Sequence, residues 1–240
     1  MATYQDFANY CESELNLHQQ LIVNNRKDPN EEFYKSLPLC IIDAVFSIGV
    51  KYKSAEKATA HFIDHFNLDV SRTYPIQKEY TVNDFIHDMN SFSSFDEAAV
   101  SGFNNRQRTS SRNGILKAEA CFRVAEVFRK HNVDTLKDFN NYTNTTALDR
   151  DILAVKGQGS GIMLRYLHML AGRSDEVKPD RHVVNFIQKV FPHLSMSPKY
   201  HDAIKQTMHE TVHLLQSKYP TLTERFLDVL IWEYMRNKKT

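Results

Sequence analysis

Two short stretches decide the fold: Leu153-Ala-Val-Lys-Gly-Gln-Gly-Ser-Gly161 and, after an apolar segment, Val177-Lys-Pro-Asp-Arg-His182. The first joins two helical patterns through a turn with glycines at 157, 159 and 161. Without Cβ atoms, the chain can reverse sharply there and a ligand can come close to the backbone. Amides at the start of the following helix point outward at the positive end of the helix dipole, which suits a nucleic-acid phosphate. The second stretch sets a carboxylate, Asp180, nineteen residues beyond Gly161 and at a predicted helix start. Two readings of Asp180 stand: an N-cap, the commonest use of aspartate before a helix, or a charged group displayed for chemistry and favoured by backbone amides and the dipole.

Working outward, start signals divide most of the chain into helices. Ser36 before Leu37-Pro38 sets proline in a first helical turn, with Leu39, Ile42, Val45 and Phe46 on one apolar face. Ser54, Thr81 and Ser94 open further helices, and Gly114 precedes a longer one striped by Ile115, Ala118, Phe122, Ala125 and Phe128. Thr146-Ala-Leu-Asp149 has the form of a capping box for the helix before the glycine turn. Ser197-Pro198 and Thr221-Leu-Thr-Glu224 open the last two helices. Strand signals are poor, and residues 67–80, with Pro75, read as a linker or short extended insertion. The predicted fold class is all-α.

The 240 residues suffice for one large domain or two small helical lobes. With 42% hydrophobic and 25% charged residues the chain is globular rather than disordered. No apolar run has the length of a membrane span, and the polar N-terminus lacks a signal-peptide pattern, so the expected compartment is the cytoplasm. Cys11, Cys40 and Cys121 are odd in number and widely spaced, which argues against a disulfide framework. A net charge of +1 is small for a nucleic-acid binder, but its distribution is uneven. The segment from Asn104 to Lys117 holds Arg106, Arg108, Arg112 and Lys117 and no acid. Such a segment is either a phosphate-binding loop or a solvated loop with ordinary surface arginines.

The glycine turn with its spaced aspartate resembles the helix-hairpin-helix DNA glycosylases of the endonuclease III type. Leu37 to Ala58 looks like that family's first barrel helix and the turn after it, and Ile115 to Phe122 like the helix that precedes the hairpin. Asp180-Arg181-His182 matches the family's D-x-H, and the likeness runs in order from about Leu37 to Ile187. The resemblance implies two helical lobes with a helix-hairpin-helix motif and the active-site cleft between them. Residues 36–175 would form the helical barrel lobe ending in the hairpin; residues 1–35 and 176–240 would form the second lobe, carrying the catalytic aspartate.

For function, the resemblance implies base excision from double-stranded DNA containing a modified or mismatched base, which is flipped out of the duplex. Asp180 would be the catalytic carboxylate, stabilising positive charge on the sugar and orienting or deprotonating the attacking water. Lys156, Gly157, Gln158, Gly159, Ser160 and Gly161, with Arg106, Arg108 and Arg112, would contact the DNA. Lys51 and Tyr52 would serve the base pocket or wedge. The backbone carbonyls of Leu153, Val155 and Gln158 would hold a monovalent cation, Na+ or K+. Relatives that nick the strand begin the second hairpin helix with a lysine that forms a Schiff base; the matching residue here is Gly161, which implies no lyase activity. Gly49 stands where relatives often carry a glutamine wedge, and no cysteine follows Cys121, so their iron–sulfur cluster is absent. The expected form is a monomer without a membrane partner. The excised base is left open among alkylated, deaminated, oxidised and foreign hypermodified ones, the last implying defence rather than repair. The alternative is a non-catalytic DNA-binding protein of the same fold.

Three further features have their own readings. His209-Glu-Thr-Val-His213 matches H-E-x-x-H, a zinc motif when a third ligand is supplied, and otherwise a set of exposed helix residues. His168, amid Met163, Leu164, Leu167 and Leu170, reads as a half-buried, hydrogen-bonded core histidine rather than a catalytic one. Trp232, at helical spacing from Phe226 and Val229, reads as a core anchor rather than a base-stacking platform.

Overall fold

A computed structural model describes residues 2–28, 34–50, 52–68 and 79–238. Among the described residues the regular structure is helical and no strand forms; extended pairing is confined to a bridge between Arg108 and Leu116. The all-α expectation therefore holds, and no described helix is long and apolar enough to cross a membrane. In chain order the α-helices are α1 (Tyr4–Glu14), α2 (Leu37–Ser47), α3 (Tyr52–His65), α4 (Val82–Met89), α5 (Phe95–Glu97), α6 (Lys117–Lys130), α7 (Leu136–Asn141), α8 (Thr145–Ala154), α9 (Ile162–Leu170), α10 (Arg181–Ile187), α11 (His201–Leu215) and α12 (Glu224–Asn237). The chain divides into two compact units, Met1–Glu31 with Gly172–Thr240, and Glu32–Ala171.

The middle unit is built around α2. Every residue from Leu37 to Ser47 is buried, and α3, α4, α6 and α9 pack around it. The single apolar face read from the sequence is thus too narrow, because a helix surrounded on all sides is apolar all round. Its one acid, Asp43, accepts a hydrogen bond from the Tyr34 hydroxyl at 3.0 Å. The carbonyls at the C-terminal end of a helix lack intrahelical donors. Here Lys117 supplies them: its Nζ donates to Phe46 O at 2.9 Å and to Ile48 O at 2.8 Å. Lys117 is buried, which removes it from the cations available to a phosphate.

Several helix starts follow the expected chemistry. Thr81 and Asp84 form a reciprocal capping box on α4, and the Ser94 side chain accepts the Glu97 amide at the start of α5. Others are corrected. Ser54 lies inside α3, where its Oγ accepts from Asn105 Nδ2 and Gln107 Nε2. The long helix after Gly114 starts at Lys117, because Ile115 and Leu116 are held extended by Thr109 N donating to Ile115 O and Lys117 N to Gln107 O. The Thr146 box does not form, since α8 begins at Thr145 after Asn144. On α12 the cap is Thr223, not Thr221; Thr223 has the extended backbone a cap requires and accepts from Phe226 N. The insertion read over residues 67–80 falls largely in 69–78, outside the described residues.

In the other unit α1 packs on α11, and α12 on both α10 and α11. Phe7, Phe186, Met208, Phe226 and Ile231 are among its fully buried side chains. Trp232 is only half-buried, with the His182 ring edge-on at 6.3 Å and the Arg236 guanidinium 4.9 Å from its centroid. It is therefore not the deep anchor expected, a place taken by Phe226. The buried pair Arg225–Asp28 (2.8 Å) ties the N-terminal segment to α12. All three cysteines are buried free thiols, pushed up in pKa by desolvation.

Substituting Lys117 by methionine keeps most of the buried chain but leaves two carbonyls without their donor. Urea denaturation of Lys117→Met should show a loss of about 1–3 kcal/mol with helicity retained, the usual cost of unsatisfied buried acceptors; unchanged stability would mean that the end of α2 is capped by other groups.

Candidate functional site

The turn between α8 and α9 is held from both sides. On α8, Asp151 accepts from Lys130 Nζ (2.9 Å), His131 Nε2 (3.0 Å) and Arg150 (3.1 Å), and these bonds hold its carboxyl well below the usual range. Helix α9 packs against α2 and α8. Within the turn, Gln158 N donates to Val155 O at 2.9 Å and Gly161 N to Gln158 O at 3.1 Å. Gly157 and Gly161 have φ of 92° and 76°, in the left-handed region that favours glycine, and Gly161 caps α9.

This geometry sorts the residues expected to meet DNA. Gly157, Gly159 and Ser160 are exposed, and their amides donate to no group among the described residues. Lys156 is exposed as well, its ammonium making no bond to a described residue. Gln158 differs from these: its side chain is buried and its backbone amide donates within the turn. Of the three carbonyls expected to hold a cation, those of Val155 and Gln158 each accept one amide, leaving one lone pair apiece. Leu153 O lies across the turn, 3.8 Å from the Cβ position of residue 159.

A contact invisible in the sequence sets the basic loop beside this turn. A Cβ at Gly157 would lie 2.4 Å from Thr109 Cβ and Oγ1. The absence of a side chain at 157 thus lets the turn and the Asn104–Lys117 segment touch. Within that segment the cations differ in role. Arg106 makes an exposed ion pair with Asp96 at 2.8 Å, and Arg108 Nη1 donates to Gly114 O at 2.9 Å, bracing the loop. Arg112 is exposed, and its guanidinium is without a partner among the described residues. Lys51 lies outside the described residues; Tyr52 opens α3, but its side chain is outside them too.

In the other unit Asp180 is the N-cap of α10. Its Oδ1 accepts from His182 N at 2.7 Å and Val183 N at 3.2 Å. Its Oδ2 carries no hydrogen bond among the described residues, and the side chain is only part-buried. The capping reading of Asp180 therefore holds, and the cap uses one of its two oxygens. A second carboxylate, missed in the sequence, lies close by. Asp228 of α12 is buried, and its Oδ1 accepts the Lys178 amide at 3.0 Å. Burial first, and then the charge of Asp180, push its carboxyl well above the ordinary aspartate range. An acid inside the apolar run Phe226-Leu-Asp-Val-Leu230 was the available signal. Elsewhere, His209 Nδ1 is 2.7 Å from Glu224 Oε1 and Glu210 accepts from Gln206, so two of the H-E-x-x-H residues make ordinary surface pairs. Among the described residues no group of three His, Cys, Asp or Glu side chains is placed to hold a metal. His168 is buried and stacked on Phe139 at 4.9 Å, a core histidine.

The chain belongs to a family of domains of unknown function, DUF8548, which it matches over residues 12–236. No curated protein and no solved structure matches it.

Two glycines in one turn should behave differently. Gly157→Ala forces a positive φ and a collision with a β-branched neighbour, and should cost about 2–4 kcal/mol in thermal or urea unfolding. Gly159→Ala meets nothing nearer than 3.8 Å. It should leave stability within about 1 kcal/mol while obstructing any ligand that must approach the backbone. Equal stability losses in the two variants would refute the contact at Thr109.

Proposed function

We propose that this protein is a DNA N-glycosylase without lyase activity, which turns a modified base out of double-stranded DNA and hydrolyses its glycosidic bond. The observation that carries the DNA half of the reading is the contact of Gly157 with Thr109. It sets the turn, whose exposed residues Gly157, Gly159 and Ser160 have amides without a described acceptor, beside an arginine-bearing loop within one compact unit. Amides at a helix start bind phosphate by hydrogen bonds and dipole. Arg112 and Lys156 add exposed cations without other described partners, and Arg106 is held only by an exposed ion pair, which is worth little and readily exchanged.

The chemical half rests on Asp180. Breaking the bond leaves positive charge on the sugar, and a fixed carboxylate lowers the energy of that charge. Two amides fix Oδ1, so Oδ2 keeps a constant direction without being consumed by the cap. That oxygen is able to face the sugar or take a proton from the attacking water. Gly161 offers no amine for a Schiff base. The product is then an abasic site in an unbroken strand.

Asp180→Asn preserves the amide-accepting cap and should keep fold and DNA affinity, while base release falls by about 100-fold or more. Wild-type product should stay unnicked until treated with alkali. Release at the normal rate by a folded Asn variant would reject Asp180 as the catalytic group and leave a DNA-binding protein.

Binding is checked separately by fluorescence anisotropy over a salt series. Arg112→Ala and Lys156→Ala should each flatten the log–log salt slope by roughly one unit and weaken all DNA sequences alike; unchanged slopes in both would take the DNA path away from the turn.

A further inference from the structure

We infer that Asp228 is the positioning residue for Asp180: its carboxyl grips the Lys178 amide and so fixes the turn from which Asp180 projects. The catalytic role of Asp180 is taken from the function proposed above; the grip itself is independent of it. Helix α12, which carries Asp228, packs directly on α10, which Asp180 caps. A continuous string of hydrogen bonds joins the two acids. Lys178 N donates to Asp228 Oδ1 at 3.0 Å, Asp180 N donates to Lys178 O at 2.6 Å, and Asp180 Oδ1 then receives the first amides of α10. Pro179, between them, is buried and has a fixed φ. Arg225 N donates to Ser174 O at 3.0 Å, so α12 holds the same segment at two points.

The charged groups facing Asp228 are Asp180 and Lys178 from the turn and Asp28 from the N-terminal segment, the last bonded to Arg225 of α12. Burial, with Asp180 next, raises the Asp228 carboxyl well above its ordinary value. Asp228 is thus a neutral acid beside Asp180 at pH values where an exposed aspartate is charged, and the turn is not split by two adjacent negative charges. The folded chain then binds a proton that the unfolded chain has lost. Stability from this group is full below the unfolded aspartate pKa, falls as pH rises above it, and levels off once pH passes the raised folded value.

The test compares wild type, Asp228→Asn and Asp228→Ala. Asparagine reproduces the neutral acid and its acceptor; alanine removes the grip. On a DNA from which wild type releases a base, Asp228→Asn should keep kcat within about threefold, while Asp228→Ala should lose about tenfold or more in kcat with KM little changed, as expected for misplacement of a reacting group. The wild-type rate should fall on the alkaline side as Asp228 ionises, and Asp228→Asn should lack that limb. Alanine at full kcat, or asparagine as impaired as alanine, would overturn the assignment. Melting curves from about pH 4 to pH 9 decide without any activity: the wild-type decline should be flattened in Asp228→Asn. Parallel curves would reject the neutral acid, whereas failure of wild type to release any base would reject only the glycosylase reading.

Discussion

The turn between α8 and α9 closes against its neighbour only because position 157 has no side chain. A methyl group there would stand 2.4 Å from Thr109, well inside van der Waals contact. Two features accompany this close approach. The basic loop lies beside the turn, and the chain between Val155 and Gly161 reverses with only two internal backbone bonds. The rest of the unit supports that contact. Helix α2 is buried on every side, its C-terminal carbonyls are closed by Lys117, and α9 rests on it. Lys117 begins α6 at the far end of the loop that contains Thr109, so closure of α2 and placement of the loop are served by one stretch of chain.

In the other unit the proposed chemistry turns on a division of labour within one carboxylate. An aspartate at a helix start is usually explained by capping alone, and the two amides on Asp180 Oδ1 satisfy that explanation. They leave Oδ2 oriented and unused by any described group. In the proposed reaction such fixing matters, because a small displacement of a catalytic atom costs rate steeply. Asp228 of α12 holds the Lys178 amide two residues before Asp180.

Much of this was legible in the sequence, and the failures have physical causes. The helical class followed from periodicity and from start signals such as Thr81–Asp84, where side chain and backbone chemistry agree locally. The chain reversal at the glycine turn was legible too, although the left-handed backbone falls at Gly157 and Gly161. What depended on tertiary contact was not. Lys117 and Gln158 look like surface polar residues until packing buries them, and Arg108 looks like a free cation until the loop folds back onto Gly114 O. Thr221 and Thr223 offer equivalent hydroxyls, and only the backbone dihedrals decide which one caps α12. Asp228 went unread because its partner, the Lys178 amide, lies fifty residues away in the chain.

Base excision is tested by mass spectrometry of the free bases released when the wild-type protein is incubated with DNAs of varied chemistry. Alkylated, deaminated and oxidised DNAs and phage DNAs with hypermodified bases belong in the set. One class of modified base should appear in solution, matched mole for mole by abasic sites in unbroken strands. Tight, salt-sensitive binding to these DNAs with no base released from any of them would contradict base excision.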